Sequence, residues 1–113
     1  MRNHLKVFRA LGDKNRLRVI KMLEAKPMCV CEITAVLNLA PSTVSKHLSL
    51  LHEAELVEET KDGKWVNYSL PSKSRILFVL EMLKLLRRSL KDDPEVLADM
   101  EKAKKVNRVD LCR

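Results

Sequence analysis

Residues 28–51 read MCVCEITAVLNLAPSTVSKHLSLL, and their apolar spacing decides the fold. Ile33, Val36 and Leu37 recur at the i, i+3, i+4 interval of one helical face, which predicts a short helix over residues 28–37. Asn38 can close it in a left-handed conformation, because a short polar side chain tolerates positive φ. Ser42 then opens a second helix in which Val44, Leu48 and Leu51 share one side. At about 100° per residue, Ser42, Ser45, Lys46 and Ser49 project the opposite way. The result is two short helices joined by a tight turn, the second with a small, polar face free of acidic groups until Glu53.

The flanking elements follow the same logic. Upstream, Leu5, Phe8 and Leu11 predict a helix over residues 3–11, after which Gly12 interrupts and Asp13 offers an N-cap. The helix that Asp13 opens runs to about residue 25, with Leu17, Val19, Ile20, Met22 and Leu23 as its apolar stripe and Arg16, Arg18 and Lys21 toward solvent. Pro27 ends it. Downstream, residues 56–60 and 64–70 are strand-like around the hairpin signal Asp62-Gly63. Pairing Lys61 with Lys64 puts Val57, Val66, Tyr68 and Leu70 on one face and Trp65 on the other. Residues 74–90 are predicted as the longest helix, apolar nearly all round, and one small domain cannot cover such a surface. Asp93-Pro94-Glu95 then caps a final charged helix that frays toward Cys112.

Composition agrees with a helical protein: 113 residues, 46% hydrophobic and 33% charged, with only 2 Gly and 4 Pro. The formal net charge is +7 and is uneven. Residues 1–52 hold nine basic and three acidic side chains, a balance of +6, against 13 and 12 in the remainder. Such a half suits a polyanion as partner. The most apolar stretch, residues 76–90, is broken by Glu81, Lys84, Arg87 and Arg88, so neither a membrane span nor an export signal is expected, and the expected location is the cytoplasm. Three cysteines, two of them one residue apart, make a poor disulfide framework and fit thiolate chemistry in a reducing compartment. No Cys-x-x-Cys reductase motif, Gly-rich phosphate loop or His/Asp/Glu triad is present to suggest an enzyme, and no Cys/His spacing suits structural zinc.

Four segments, in order, carry a resemblance: Leu11-Gly12-Asp13-Lys14-Asn15-Arg16-Leu17-Arg18, Cys29-Val30-Cys31-Glu32-Ile33, Ser42-Thr43-Val44-Ser45-Lys46-His47-Leu48 and Gly63-Lys64-Trp65-Val66-Asn67-Tyr68. Together they resemble the ArsR/SmtB family of metal-responsive repressors over about residues 5–90. The resemblance implies a mainly α, winged helix-turn-helix fold, homodimeric through its first and fifth helices. Residues 1–92 would form the DNA-binding and dimerisation domain, and residues 93–113 a charged C-terminal helix and tail. It implies an inverted-repeat operator in double-stranded DNA. Ser42, Thr43, Ser45, Lys46 and Ser49 would face the major groove, where small polar residues let a helix approach base edges. Lys61 and Lys64 on the wing would meet phosphate, and His47 stands between packing and a phosphate contact.

Within the family, Cys29-Val30-Cys31 resembles the thiol site of arsenite or antimonite sensors, and half of a cadmium or lead site. The cadmium type adds N-terminal cysteines that Met1-Arg2-Asn3-His4 lacks, and the third cysteine usual in arsenite sensors is here Thr34. Cys112, a cellular thiol or no third ligand at all are the alternatives. The family's interface zinc site has no counterpart, since His4, His47 and His52 all precede residue 53. Residues i and i+2 of a regular helix point about 200° apart, so joint chelation by Cys29 and Cys31 requires a non-helical first turn or the local unwinding of a helical one. A thiol redox or persulfide switch using Cys31 and Cys112 is the competing function on the same scaffold.

Overall fold

In the computed structural model, which describes residues 1–111, caps and apolar stripes set the element boundaries. The first helix, α1 (Arg2–Leu11), buries Val7 and Ala10 and turns Leu5 and Phe8 outward. Its end is tight at Gly12, where an added Cβ would lie 3.2 Å from the Phe8 carbonyl oxygen. Asp13 then caps α2 (Lys14–Leu23), its Oδ1 accepting from the N–H groups of Asn15 (2.8 Å) and Arg16 (3.1 Å).

Burial pushes the Asp13 carboxyl up, but the Arg16 and Asn15 N–H groups and the nearby Arg16 charge outweigh it and hold the pKa below its ordinary value. A depressed carboxylate stabilises the fold above its unfolded pKa and ceases to do so as pH falls through the folded value. Asp13→Ala should therefore cost about 1 kcal/mol at neutral pH, and urea titrations should show that difference vanishing well below pH 4.

The predicted helix over residues 28–37 begins later than expected. Met28 and Cys29 form a short strand, β1 (Met28–Cys29), and the helix proper is α3 (Val30–Leu37). Asn38 closes it at φ 57°, ψ 45°, in the left-handed region as expected. Pro41 starts α4 (Pro41–Glu53), whose Val44, Leu48 and Leu51 are all buried. The hairpin follows as β2 (Glu58–Asp62) and β3 (Trp65–Ser69), and the antiparallel sheet has the order β1-β3-β2. The register corrects the sequence reading: Lys61 faces Val66 and Asp62 faces Trp65, so the turn is Gly63-Lys64, with Gly63 at φ 63°. The shift is two residues, which preserves the faces.

The helix expected over residues 74–90 is shorter, α5 (Leu77–Arg87), and is not the longest. Ile76 is extended, its N–H bonded to Ser74 Oγ, and Arg88 caps the far end, two residues before Leu90 turns the chain at φ 60°. Asp93 caps α6 (Pro94–Lys105) as read from the sequence, accepting at 3.0 Å from both Glu95 and Val96 N–H. The helix is regular over Pro94–Lys105, and Cys112, toward which fraying is expected, lies outside the described residues. Helix α6 packs on α2 and α3 with Val96, Asp99 and Ala103 buried, and the short α7 (Arg108–Leu111) continues onto α3.

The core is aliphatic, with Ile20, Met22, Met28, Ile33, Leu48 and Leu56 among its fully buried members. None of the four Phe, Tyr and Trp side chains is buried. Phe8 and Phe78 meet on the α1/α5 face with ring centroids 5.4 Å apart, and His4 lies 4.2 Å from Phe78. Trp65 and Tyr68 stand on the hairpin. The described chain thus holds its largest side chains at two surfaces, where burial by another molecule would gain most.

Candidate nucleic-acid interface and thiol site

The helix pair α3–α4 turns at residues 38–40 and leaves one face of α4 open. Ser42, Thr43, Ser45, Lys46 and Ser49 are all exposed there, as the 100° projection requires. His47 is different: it is half-buried, and Arg16 Nη1 lies 3.1 Å from its Nδ1. A guanidinium only donates, so Nδ1 accepts and the ring proton sits on Nε2. Arg16 also donates to the carbonyls of Ala10 (2.7 Å) and Arg9 (3.2 Å) at the end of α1. One side chain thereby ties α1, α2 and the exposed helix α4 together, and His47 serves as an anchor of that helix.

The charge count of the N-terminal half overstates what faces solvent. Lys21, expected on the solvent side, is buried, with its ammonium 2.7 Å from the Leu86 carbonyl and 2.8 Å from Glu24. Arg18, also expected outside, is half-buried against Asp99 of α6. Lys14 pairs with Glu95 at 3.0 Å. The basic surface that remains includes Arg2, Lys6 and Arg9 on α1, Lys46 on α4, and Lys61 and Lys64 on the hairpin, all exposed. Lys64 Nζ sits 4.8 Å from the Trp65 ring centroid. Tyr68 donates to Glu59 at 3.1 Å, and burial together with the Glu59 charge raises its pKa.

The thiols lie beside the hairpin. Cys29 is extended (φ −87°, ψ 170°) and pairs with Asn67 of β3, while Met28 pairs with Tyr68. Its own N–H donates to Glu32 Oε1 at 3.0 Å, which fixes the start of α3. Cys31 is inside the first turn. The two residues therefore straddle a helix boundary, and the 200° divergence of a regular helix does not apply to them. Cys29, Val30, Cys31, Lys64, Trp65 and Val66 line a groove of about 320 Å³. Cys29 is a free, buried thiol, and Cys31 is disulfide-bonded. Cys112 lies outside the described residues. Among the described residues no group of three or more His, Cys, Asp or Glu side chains is placed to hold a metal ion.

Sequence reasoning missed β1 and the contact of the cysteines with the hairpin, because a two-residue strand has no period to detect. The only local signal was Pro27 just before it, which holds the chain out of helix.

Comparison with known proteins places this geometry. Residues 13–59 match the family model described as bacterial regulatory protein, arsR family. The arsenical resistance operon repressor of Escherichia coli (strain K12) is 37% identical over 67 residues, which span 58% of this chain and 57% of that protein. The cadmium resistance transcriptional regulatory protein CadC of Listeria innocua is 32% identical over 92 residues, 80% of this chain and 71% of that one. Among solved structures, HlyU from Vibrio cholerae N16961 superposes with a TM-score of 0.64 at 30% identity, covering 76% of this chain and 89% of that chain. With α3 and α4 as helix-turn-helix, β2 and β3 as wing, and relatives that are transcriptional regulators, this chain belongs to the ArsR family of bacterial regulatory proteins.

Proposed function

We propose that this chain is a dimeric transcriptional repressor that leaves its operator when arsenite or antimonite binds Cys29 and Cys31. The observation that carries the reading is the pairing of Cys29 with Asn67, which makes one ligand's backbone a strand of the wing sheet. An ion that draws the two sulfurs together must move that backbone or the first turn of α3. Either movement reaches both the wing and, through α3, the recognition helix α4. A soft trivalent ion suits thiolates, and the N-terminus of α3 stabilises them. Binding requires Cys31 in its reduced form, and any third ligand comes from outside the described residues, Cys112 or a cellular thiol. Dimerisation through α1 and α5 covers Leu5, Phe8 and Leu77, each more than half exposed in the single chain. A two-fold dimer then sets two α4 helices one DNA turn apart on an inverted repeat, with Lys61 and Lys64 on flanking phosphates.

A second reading rests on the disulfide at Cys31: a repressor switched by thiol oxidation or persulfidation, with no metalloid. One titration separates the two. Reduced protein bound to a labelled duplex, selected by the protein from a random pool, is challenged with arsenite, cadmium and hydrogen peroxide. Arsenite should weaken binding by about 5- to 150-fold, the usual range of such coupling. Cys29→Ser and Cys31→Ser should each keep DNA affinity and lose that response. Release of the double variant by arsenite would place the inducer elsewhere, and release by peroxide alone would establish the redox switch.

A further inference from the structure

The C-terminal helices form a strap that crosses from α2 to the wing. Asp99 anchors α6 to Arg18, and Lys26 Nζ donates to the Val106 carbonyl at 3.4 Å. Arg108 then reaches the hairpin. Its Nη2 donates to Asp62 Oδ2 at 2.6 Å and its Nη1 to Asn67 Oδ1 at 3.1 Å, and its guanidinium carbon stands 4.3 Å from the Trp65 ring centroid. Asp62 and Trp65 are register partners, and Asn67 lies two residues further along the same face. One side chain thus grips both strands on a single face, and Lys61, paired with Val66, lies on the other.

The hairpin needs such a hold. β1 pairs with β3 only at Asn67 and Tyr68, so beyond Asn67 the wing is a two-stranded ribbon whose β2 is exposed throughout. Two-stranded ribbons are marginal in water. Arginine is suited to the task, since a planar guanidinium can hydrogen-bond in its plane while stacking on an indole.

We propose that Arg108 is a positioning residue for DNA binding, clamping the C-terminal strap to the wing and fixing the pose in which Lys61 and Lys64 meet phosphate. The proposal rests on the reading of those lysines as phosphate contacts. Its sign is distinctive. Asp62 lies beside Lys61 and close to Lys64, so by charge alone its removal strengthens DNA binding, whereas loss of a clamp weakens it.

The test uses the full chain and a fluorescein-labelled duplex selected from a random pool. Arg108→Lys keeps the charge but not the fork or the stack, and Asp62→Asn keeps a turn-compatible Asn-Gly. Each should weaken binding about 3- to 10-fold, a typical coupling through a packed polar contact. In a Lys61→Ala, Lys64→Ala background both effects should vanish. Trp65 is the chain's one tryptophan, so acrylamide quenching of its emission should rise in both clamp variants. Unchanged or tighter binding by Asp62→Asn, a silent Arg108→Lys, or effects that persist without the lysines would each overturn the clamp. If the lysine variant itself binds as tightly as the unaltered chain, the wing-contact reading fails and the proposal with it. A weakened lysine variant beside silent clamp variants refutes the clamp alone.

Discussion

Replacing Asp99 by alanine is expected to lower the free energy of unfolding by about 3–5 kcal/mol, the cost of breaking a buried pair by removing one partner. Arg18 Nε and Nη2 reach the two oxygens of Asp99 at 2.8 and 3.0 Å, with side chains only 15% and 4% exposed. Those hydrogen bonds raise the guanidinium pKa against the opposing effect of burial; without Asp99 the charge still stays on Arg18, because a guanidinium does not lose its proton in a protein. Asn15 Oδ1, at 2.9 Å, is then the acceptor left to it. A domain of this size holds about 5–15 kcal/mol in total, so the variant should sit near the edge of folding. Urea unfolding checks the value, and Arg18→Met with Asp99→Leu should recover much of the loss, since a packed apolar pair avoids stranding a charge. A loss below about 1 kcal/mol for Asp99→Ala would mean that solvent reaches Arg18 far more freely than its burial indicates.

The largest functional effect is expected from the α1/α5 face. Phe8→Glu combined with Leu77→Glu should convert the proposed dimer to a monomer and weaken operator binding by about 10²- to 10⁴-fold, the gain that linking two binding modules confers. Phe8 is 55% and Leu77 69% exposed, so neither substitution removes a side chain from the core of the single chain. The monomer should therefore keep the circular dichroism of the unaltered protein. Sedimentation velocity and DNA titration on the same sample read both quantities. A variant that stays dimeric would move the interface off this face, and one that becomes monomeric yet binds DNA undiminished would end the two-half-site reading.

What could be read from the sequence was whatever depends on neighbours in sequence. Asp13 and Asp93 announce their helices because a cap needs only the next three residues. Val44, Leu48 and Leu51 were placed correctly because a helix stripe is a local periodicity. What escaped depends on partners far along the chain. Lys21 is buried because the end of α5 presents the Leu86 carbonyl, 65 residues away, and Arg16 meets His47 across 31 residues. Arg108 read as one more charge in a charged tail until the fold brought it to Trp65. The wing register slipped by two residues because the turn centres on Gly63-Lys64, with the positive φ on the glycine, and not on the Asp62-Gly63 pair that signals it.

The pairing of Cys29 with Asn67 divides the labour between side chain and main chain. In the proposed repressor, which ion is held would depend on the sulfur and its companions, whereas the link to the wing consists of peptide groups, which are the same for every residue that can adopt an extended backbone there. Substitution at residue 29 can therefore change what is detected while the route to DNA stays intact. A receptor of this construction can acquire a new stimulus by exchanging a few side chains, with its output mechanism inherited unaltered.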